Sequence, residues 1–541
     1  MTSAALPHPD GPAPVDHDHQ HDLVTDPKRQ RNILIAMCLA LTAVVASVSG
    51  LNVAQQDLAI ELGASQTDLL WIINGYTMAL AALLLPIGAI GDRWGRKPIL
   101  VAGLALFAGA NLLGSQAGGV EVLIASRVLA GVAAAMIMPV TLSVITSSFP
   151  PDERAKAIGI WSGFAGAGGI IGLFVSSFIV DNLTWPWLFA LPIGLAVSAL
   201  VMTLPSVSNS TEHQVGRFDV VGSVVSALAI GGLVLGIHEG PEKGWTDPLT
   251  VAGLVVGIVG LALFVWWELR QDQPLLDIRL FSHRGLAAGS VTLLVVFAVM
   301  FGVFLVLPQF TQAVLGYSAI KSATALLPMV FVMMPLSAIA PVLAQKVGTR
   351  NVLMAGVALF VTGLVLLAVI VSADGGYWSV LPGLLVLSVG IGLCMSPSTA
   401  VITESLPAAK QGVASALNDT VRELGGAIGI ALLGSVVSSG YRSSITSATE
   451  GLPADLAHRV EEGIGGAFSA AADLGADAPA VIAAAQDALV DGWQVSMWVG
   501  AALASCVLVY LVVRGPRPSD LAAEDALDAD LDEDELALDG V

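Results

Sequence analysis

Gly88-Ala-Ile-Gly-Asp92-Arg93-Trp-Gly95-Arg96-Lys97-Pro98-Ile-Leu100 packs a carboxylate, three cations and several glycines into one short connection between two apolar runs. Pro341-Val-Leu-Ala-Gln-Lys346-Val-Gly348-Thr-Arg350-Asn-Val-Leu353 repeats it at an offset of 253 residues: Gly95 falls on Gly348, Arg93 on Lys346 and Lys97 on Arg350. At an offset of 257, VITSSFP (144–150) overlays VITESLP (401–407), and GGIIG (168–172) overlays GGAIG (425–429). Matches in the same order along the chain identify a duplication. The chain therefore reads as two parallel copies of one unit, and in membrane transporters such copies hold the substrate site between them near mid-membrane.

The surroundings of the repeat say what the unit is made of. Of 541 residues, 55% are hydrophobic and 12% charged, and mean hydropathy is +0.80; soluble chains carry about 25% charged residues. Apolar runs of about 20 residues recur, each enough to cross roughly 30 Å of hydrocarbon as a helix. The runs predict fourteen spans, near 32–52, 67–91, 98–117, 121–148, 155–180, 185–204, 218–237, 248–268, 286–308, 320–344, 351–372, 379–402, 412–438 and 492–513. Spans 1–6 and 9–14 are the two copies, and spans 7 and 8 are inserted between them. The predicted organisation is a tail over 1–31, a six-helix bundle over 32–204, two inserted helices with a linker over 205–285, a second six-helix bundle over 286–513, and an acidic tail over 514–541.

Of the 23 Lys and Arg residues, 17 fall on the side of the N-terminus, four on the other side and two within spans. The positive-inside rule then puts both termini in the cytoplasm of a plasma-membrane protein. The net charge of -20 describes a tail more than a surface, because ten acids lie between Asp520 and Asp539. That end reads as solvated and disordered. The external connection 439–491, rich in Ala and Gly, predicts short amphipathic helices. Cys38, Cys394 and Cys506 lie inside apolar runs with no metal-ligand spacing. The alternating His and Asp residues of 8–22 read as a plain solvated tail, so no metal and no cofactor is expected. No GxxxxGK[ST], HExxH or nucleophile elbow occurs, which argues against ATP hydrolysis and against an enzyme. Nothing in the pattern points to nucleic acid.

In the stretch that opened the reading, Asp92 can pair with a cation of the turn or of a neighbouring helix, Gly95 permits the reversal, and Pro98 suits the first turn of span 3. It matches the GxxxDRxGRK loop of the major facilitator superfamily. From about Asn32 to Arg514 the chain resembles the fourteen-span drug:proton antiporter branch of that family, also in NVAQQDLAIELGAS (52–65), WIINGYTMALAALLLP (71–86), RVLAGVAAA (127–135) and ASALNDTVRELGGAIGIALLGS (414–435). The resemblance implies an all-α fold of two six-helix bundles plus two inserted helices. It also implies proton-coupled efflux of a hydrophobic or amphipathic small molecule by a monomer in the bilayer. It implies a cytoplasmic gate at Gly88, Asp92, Arg93, Gly95, Arg96 and Lys97, and a part for Arg127 in proton coupling. Ser47 stands where the branch commonly has Asp, Gln56 where it has Pro, and Leu173 where span 5 has Pro. Uptake by the same fold stays open beside efflux, as does a receptor or scaffold acting through the acidic tail.

Within the spans, Arg127, Asp419, Arg422 and Glu423 are the clearest ionisable residues. A charge at a helix centre costs about 2.5–3.5 kcal/mol on insertion scales, so these should face a cavity or a partner. Asp419 and Glu423, four residues apart, share a helix face and repel when both are ionised. Arg422 is placed to hold Asp419 ionised, which makes Glu423 the proton carrier; a static Asp419–Arg422 pair is the simpler alternative. Asn52, Trp71, Asn74, Tyr76, Trp161 and Asn418 are candidates to line a cavity for an amphipathic substrate. The Gly159/Gly163 and Gly168/Gly172 spacings in span 5 predict close helix packing.

Overall fold

The computed structural model describes residues 23–516 except 55–57, 59–60, 209–217 and 408–409. The helices are α1 (Pro27–Val53), α2 (Gln66–Trp94), α3 (Arg96–Ser115), α4 (Val120–Ser148), α5 (Pro151–Asn182), α6 (Ala190–Ser206), α7 (Val220–Lys243) and α8 (Pro248–Glu268). They continue as α9 (Arg284–Gln309), α10 (Ala319–Val347), α11 (Thr349–Val369), α12 (Gly376–Glu404), α13 (Gln411–Thr449), α14 (Ala454–Glu462), α15 (Ile464–Leu474) and α16 (Ala478–Arg514). Fourteen of these, α1–α13 and α16, are long and apolar enough to cross a membrane.

Where the chain leaves hydrocarbon, polar side chains take over the helix ends. Ser65 and Asp68 form a reciprocal capping box on α2, and the carboxylates of Asp26, Asp219 and Asp247 cap α1, α7 and α8. Between α2 and α3, Gly95 has φ +104°, and between α10 and α11 its counterpart Gly348 has φ +89°. Side chains with a Cβ rarely adopt this backbone, which is why the duplicated loop keeps glycine in both copies.

The duplication is visible in packing. In the first copy α2 and α3 lie on α4, α1 on α5 and α6, and α3 on α6; in the second, α10 and α11 lie on α12, α9 on α13 and α16, and α11 on α16. Lys97 Nζ donates to Leu204 O at 2.8 Å, near the end of α6. Its counterpart Arg350 donates from Nε to Leu511 O at 3.1 Å and from Nη2 to Val512 O, near the end of α16. Each cation thus meets the exposed carbonyls that close the sixth helix of its own copy. Gly168 and Gly172 pack against α1, and Gly425 and Gly429 against α9, so the second repeat is a close-packing signal for the first and fifth helices of each unit.

The two units meet along two seams, α2 with α13 and α5 with α10. The inserted helices form a hairpin whose backbones approach through Gly232, Gly236, Gly253 and Gly257. The α7 helix of that hairpin lies over the α2/α13 seam. One boundary differs from expectation. The segment 439–491 holds the short helices α14 and α15, in line with expectation, but its flanks continue the neighbouring spans: α13 runs on to Thr449, and α16 starts at Ala478. Apolar side chains explain the extension, since Tyr441, Ile445, Val481, Ala485 and Leu489 are all buried beyond the predicted spans. The short helices α14 and α15 pack on each other and on these extensions. Of the two tails, only 23–31 and 514–516 are described, and α1 already begins at Pro27.

Candidate functional site

Where the end of α2 meets the start of α13, Asp92 is almost fully buried. Its Oδ1 accepts from the Gly412 N–H at 2.8 Å and its Oδ2 from the Val413 N–H at 3.1 Å. An anion at a helix N-terminus satisfies free amides and meets the positive end of the helix dipole. Arg96, one turn further along the loop and equally buried, donates from Nη2 to the same Oδ1 at 3.1 Å. The approach is possible because both facing residues lack a side chain: a Cβ on Gly88 would stand 2.5 Å from Gly412 O. Arg93 is half-buried beside this contact, and Lys97 is committed to α6. Asp92, Arg96 and Gly88 are therefore brought together at the seam, whereas Gly95 shapes the turn and Lys97 braces the first unit.

Deeper in the molecule lie two buried polar clusters. In the first unit, Arg127 donates from Nη1 to Ser47 Oγ at 2.9 Å, from Nη2 to Ser47 O at 3.2 Å, and from Nε to Ile72 O at 3.3 Å. Its guanidinium sits 4.4 Å from the centre of the Tyr76 ring, and the Tyr76 hydroxyl donates to Val44 O at 3.0 Å. The site thus holds a buried cation on neutral oxygens and an aromatic face. In the second unit, Arg422 Nη1 lies 3.1 Å from Asp419 Oδ1, with Asn418 Nδ2 at 3.3 Å from the same oxygen. Thr399 donates to Asn418 Oδ1 at 3.0 Å.

Arg422 also crosses between units. Its guanidinium is 4.6 Å from the Phe297 ring centre and 5.6 Å from that of Trp161, which belongs to α5. The Trp161 indole is pinned by its N–H, 3.1 Å from Thr141 Oγ1. Glu423 lies within electrostatic range of Arg422 and, in the other unit, of Tyr76. Among the described residues Glu423 has no hydrogen-bond or ion-pair partner, and Asp419 Oδ2 and Arg422 Nε are also unpartnered.

Of the cavity candidates, Tyr76, Trp161 and Asn418 are buried in these clusters, and Trp71 and Asn74 are half-buried on α2. Asn52 falls near the end of α1, and its side chain lies outside the described residues. Sequence reasoning singled out Ser47 as a departure from the family pattern without foreseeing that it seats Arg127, and it missed Thr399 and Phe297, which no motif distinguishes from ordinary span residues. It also missed the partner of Asp92, a pair of backbone amides with no side-chain signature. The start of a helix directly after Lys410 was the available signal.

Residues 35–430 match the family model described as Major Facilitator Superfamily. The chain is 31% identical over 407 residues to the multidrug resistance protein Stp of Mycobacterium tuberculosis (strain CDC 1551 / Oshkosh), covering 75% of each protein. It is 32% identical over 449 residues to the multidrug efflux pump LfrA of Mycolicibacterium smegmatis, covering 83% of this chain and 88% of that one. The solved structure of the proton:xylose symporter XylE bound to 6-bromo-6-deoxy-D-glucose aligns with a TM-score of 0.57 at 12% identity, over 90% of this chain and 96% of that chain, a likeness of fold.

Proposed function

This chain belongs to the major facilitator superfamily, and from that premise we propose that it is a proton-coupled exporter of hydrophobic or amphipathic small molecules, working by alternating access between its two six-helix units. Glu423 carries this reading: a carboxyl in range of Arg422 on its own helix and Tyr76 on the opposite unit, with no fixed partner among the described residues. A carboxyl so placed is free to take and release a proton, and the charge it gains or loses acts on groups of both units. Asp419 has a different role, because Arg422 holds it as an ion pair and Asn418 and Thr399 fix the orientation.

With Asp92 docked on α13, the cytoplasmic mouth is closed along that seam. Proton binding at Glu423 from the outside neutralises it, substrate leaves outward, and the units rock until the Asp92 contact breaks and the proton leaves inward. One proton moving down a potential of about 100 mV supplies about 2.3 kcal/mol. Both termini lie in the cytoplasm of a cell-membrane protein in this reading, and Tyr76, which carries Arg127 on its ring, faces Glu423 from the first unit.

The test is Glu423→Gln in proteoliposomes loaded with a panel of diverse amphipathic compounds. Wild-type protein should expel at least one compound when an inward proton gradient is imposed, and the variant should lose that coupled flux by about a hundredfold while still binding the compound. Undiminished proton-driven flux in the variant removes Glu423 from the mechanism, and no proton-driven flux of any compound in wild type refutes the exporter reading.

A further inference from the structure

The inserted hairpin carries acids that the transport cycle above does not use. Asp219 caps the start of α7, accepting from the Gly222 N–H at 2.7 Å, and Glu268 is the last residue of α8. Antiparallel packing brings them to the same root of the hairpin, where the two carboxyls face each other across Gly222. Both reach over Gly222: a Cβ there would collide with Glu268 Oε1 and Asp219 Oδ2. Trp267 Nε1 donates to both Asp219 oxygens, at 3.1 and 3.2 Å. Glu268 is 1% exposed; its Oε2 accepts from the Leu276 N–H at 3.2 Å, but no donor reaches its Oε1 among the described residues. Two acceptors facing each other with a buried oxygen left over call for a proton between them.

We propose that Asp219 and Glu268 form a proton-binding carboxyl pair that reads cytoplasmic pH and sets how firmly the α2/α13 gate closes. A continuous path leads from the pair to the gate. Glu268 holds the linker through Leu276, and the linker's Pro274 O accepts from Lys410 Nζ at 2.7 Å. Lys410 is the N-cap residue of α13, whose first amides, at Gly412 and Val413, clasp Asp92. Burial lowers the affinity of Lys410 for its proton, and Asp277, Glu268 and Asp92 oppose that effect, so the three acids surround this one cation. Two nearby cations are engaged elsewhere: Arg279 donates from Nη2 to Leu269 O at 2.8 Å and sits 3.9 Å from Asp277, while Arg270 stacks on Trp266.

At low cytoplasmic pH the pair shares a proton, and the linker and Lys410 stay docked. When the proton leaves, the two carboxylates repel at close range across Gly222. Lys410 hydrogen-bonds a linker carbonyl and neither acid, so its attraction for Glu268 offsets the repulsion only in part. Glu268 then swings away from Leu276, the linker loosens, and the first turn of α13 loses its brace. Asp219 is only half-buried, which leaves the proton a way in and out.

Hydrogen exchange of the full-length protein in nanodiscs tests this. Corrected for intrinsic rates, exchange across the first turn of α13 in wild type should rise about tenfold from about pH 6 to about pH 9, as expected for loss of one hydrogen bond to a charged group. Glu268→Gln, which can donate to Asp219 without titrating, should hold the low-pH rate throughout. Asp219→Asn asks the same question from α7 should the first variant fail to fold. A wild type with no step, or a variant that keeps the wild-type step, overturns the proposal. So does a step that follows added Mg²⁺ or Ca²⁺ at fixed pH, which would make the pair a metal site. No substrate is needed, so this outcome is separate from the fate of the exporter reading.

Discussion

The seam where α2 meets α13 and the seam where α5 meets α10 are related by the duplication, yet they are held by different chemistry. At the first, a buried carboxylate grips two backbone amides across the units, Gly88 faces Gly412 backbone to backbone, and α7 covers the outside. At the second, Ser337 donates to Gly159 O at 3.1 Å, and Gly159 and Gly163 take the backbone of α10 around Met334, Ser337 and Ala338. There Gln345 occupies the position equivalent to Asp92, and it is exposed. In the exporter reading, the first seam is a latch that charge and water can release, and the second is a neutral, close-packed surface suited to rolling. A transporter working in this way needs only one latch on its cytoplasmic side, provided the other seam can bend without parting.

The largest effect should come from filling the space that the latch requires. A Cβ on Gly412 would meet Gly88 O, and would stand 2.6 Å from Asp92 Oδ1. Gly412→Val should therefore hold the two helices apart and forfeit both amide contacts. Overpacking costs about 1–3 kcal/mol, and each charge-assisted hydrogen bond about 1.5–3 kcal/mol, so the closed form should lose roughly 4 kcal/mol or more. Labelling of a cysteine introduced beneath the gate should become fast from the cytoplasmic side. Slow labelling, as in wild type, would mean that the seam closes without this contact.

Next in size is Asp92→Asn, which keeps the shape, leaves one acceptor oxygen and removes the charge opposite the helix N-terminus and Arg96. The open form should gain about 1.5–3 kcal/mol, a tenfold or greater shift in the open-to-closed ratio, read by the same labelling. A ratio within twofold of wild type would reassign the latch to packing alone.

How far the sequence discloses this asymmetry depends on which partner is a side chain. Fourteen spans are legible because hydrocarbon demands long apolar runs, and the two-unit plan is legible because Gly95/Gly348 and Lys97/Arg350 do the same work twice. Asp92 stands out by its charge, but the amides it grips carry no side-chain mark. Ser47 as the seat of Arg127, and Glu268 as the neighbour of Asp219, depend on which faces of uniformly apolar helices turn inward, and periodicity does not resolve that. Past Ser438 the sequence reads as a connection with short amphipathic helices because Ala and Gly dilute the apolar signal, while a seam of Tyr441, Ile445 and Leu489 buries enough surface to continue the two flanking spans as helix.

A smaller effect is expected at the neutral seam. Ser337→Ala deletes one hydrogen bond to a helix carbonyl, which should cost about 0.5–1.5 kcal/mol. The readout is a slight fall in melting temperature with the labelling at the α2/α13 gate unchanged. If that gate opened instead, the two seams would be one cooperative unit and the division between latch and rolling surface would fail.

The smallest effect belongs to Gln345→Asp, which writes the missing carboxylate into the second copy. By sequence this restores the first unit's motif, and a reading of motifs alone would predict a second latch. Geometry predicts otherwise. The residue is exposed, its neighbour Lys346 is exposed as well, and α5 begins at Pro151 with Pro150 as its cap, neither of which has an N–H to offer a carboxylate. An exposed charge pair is worth about 0–1 kcal/mol, so melting temperature, labelling and flux should all stay close to wild type. A marked slowing of flux would show that a carboxylate at this position finds a helix N-terminus after all, and the asymmetry between the seams would then be a matter of one residue rather than of how the two helices approach.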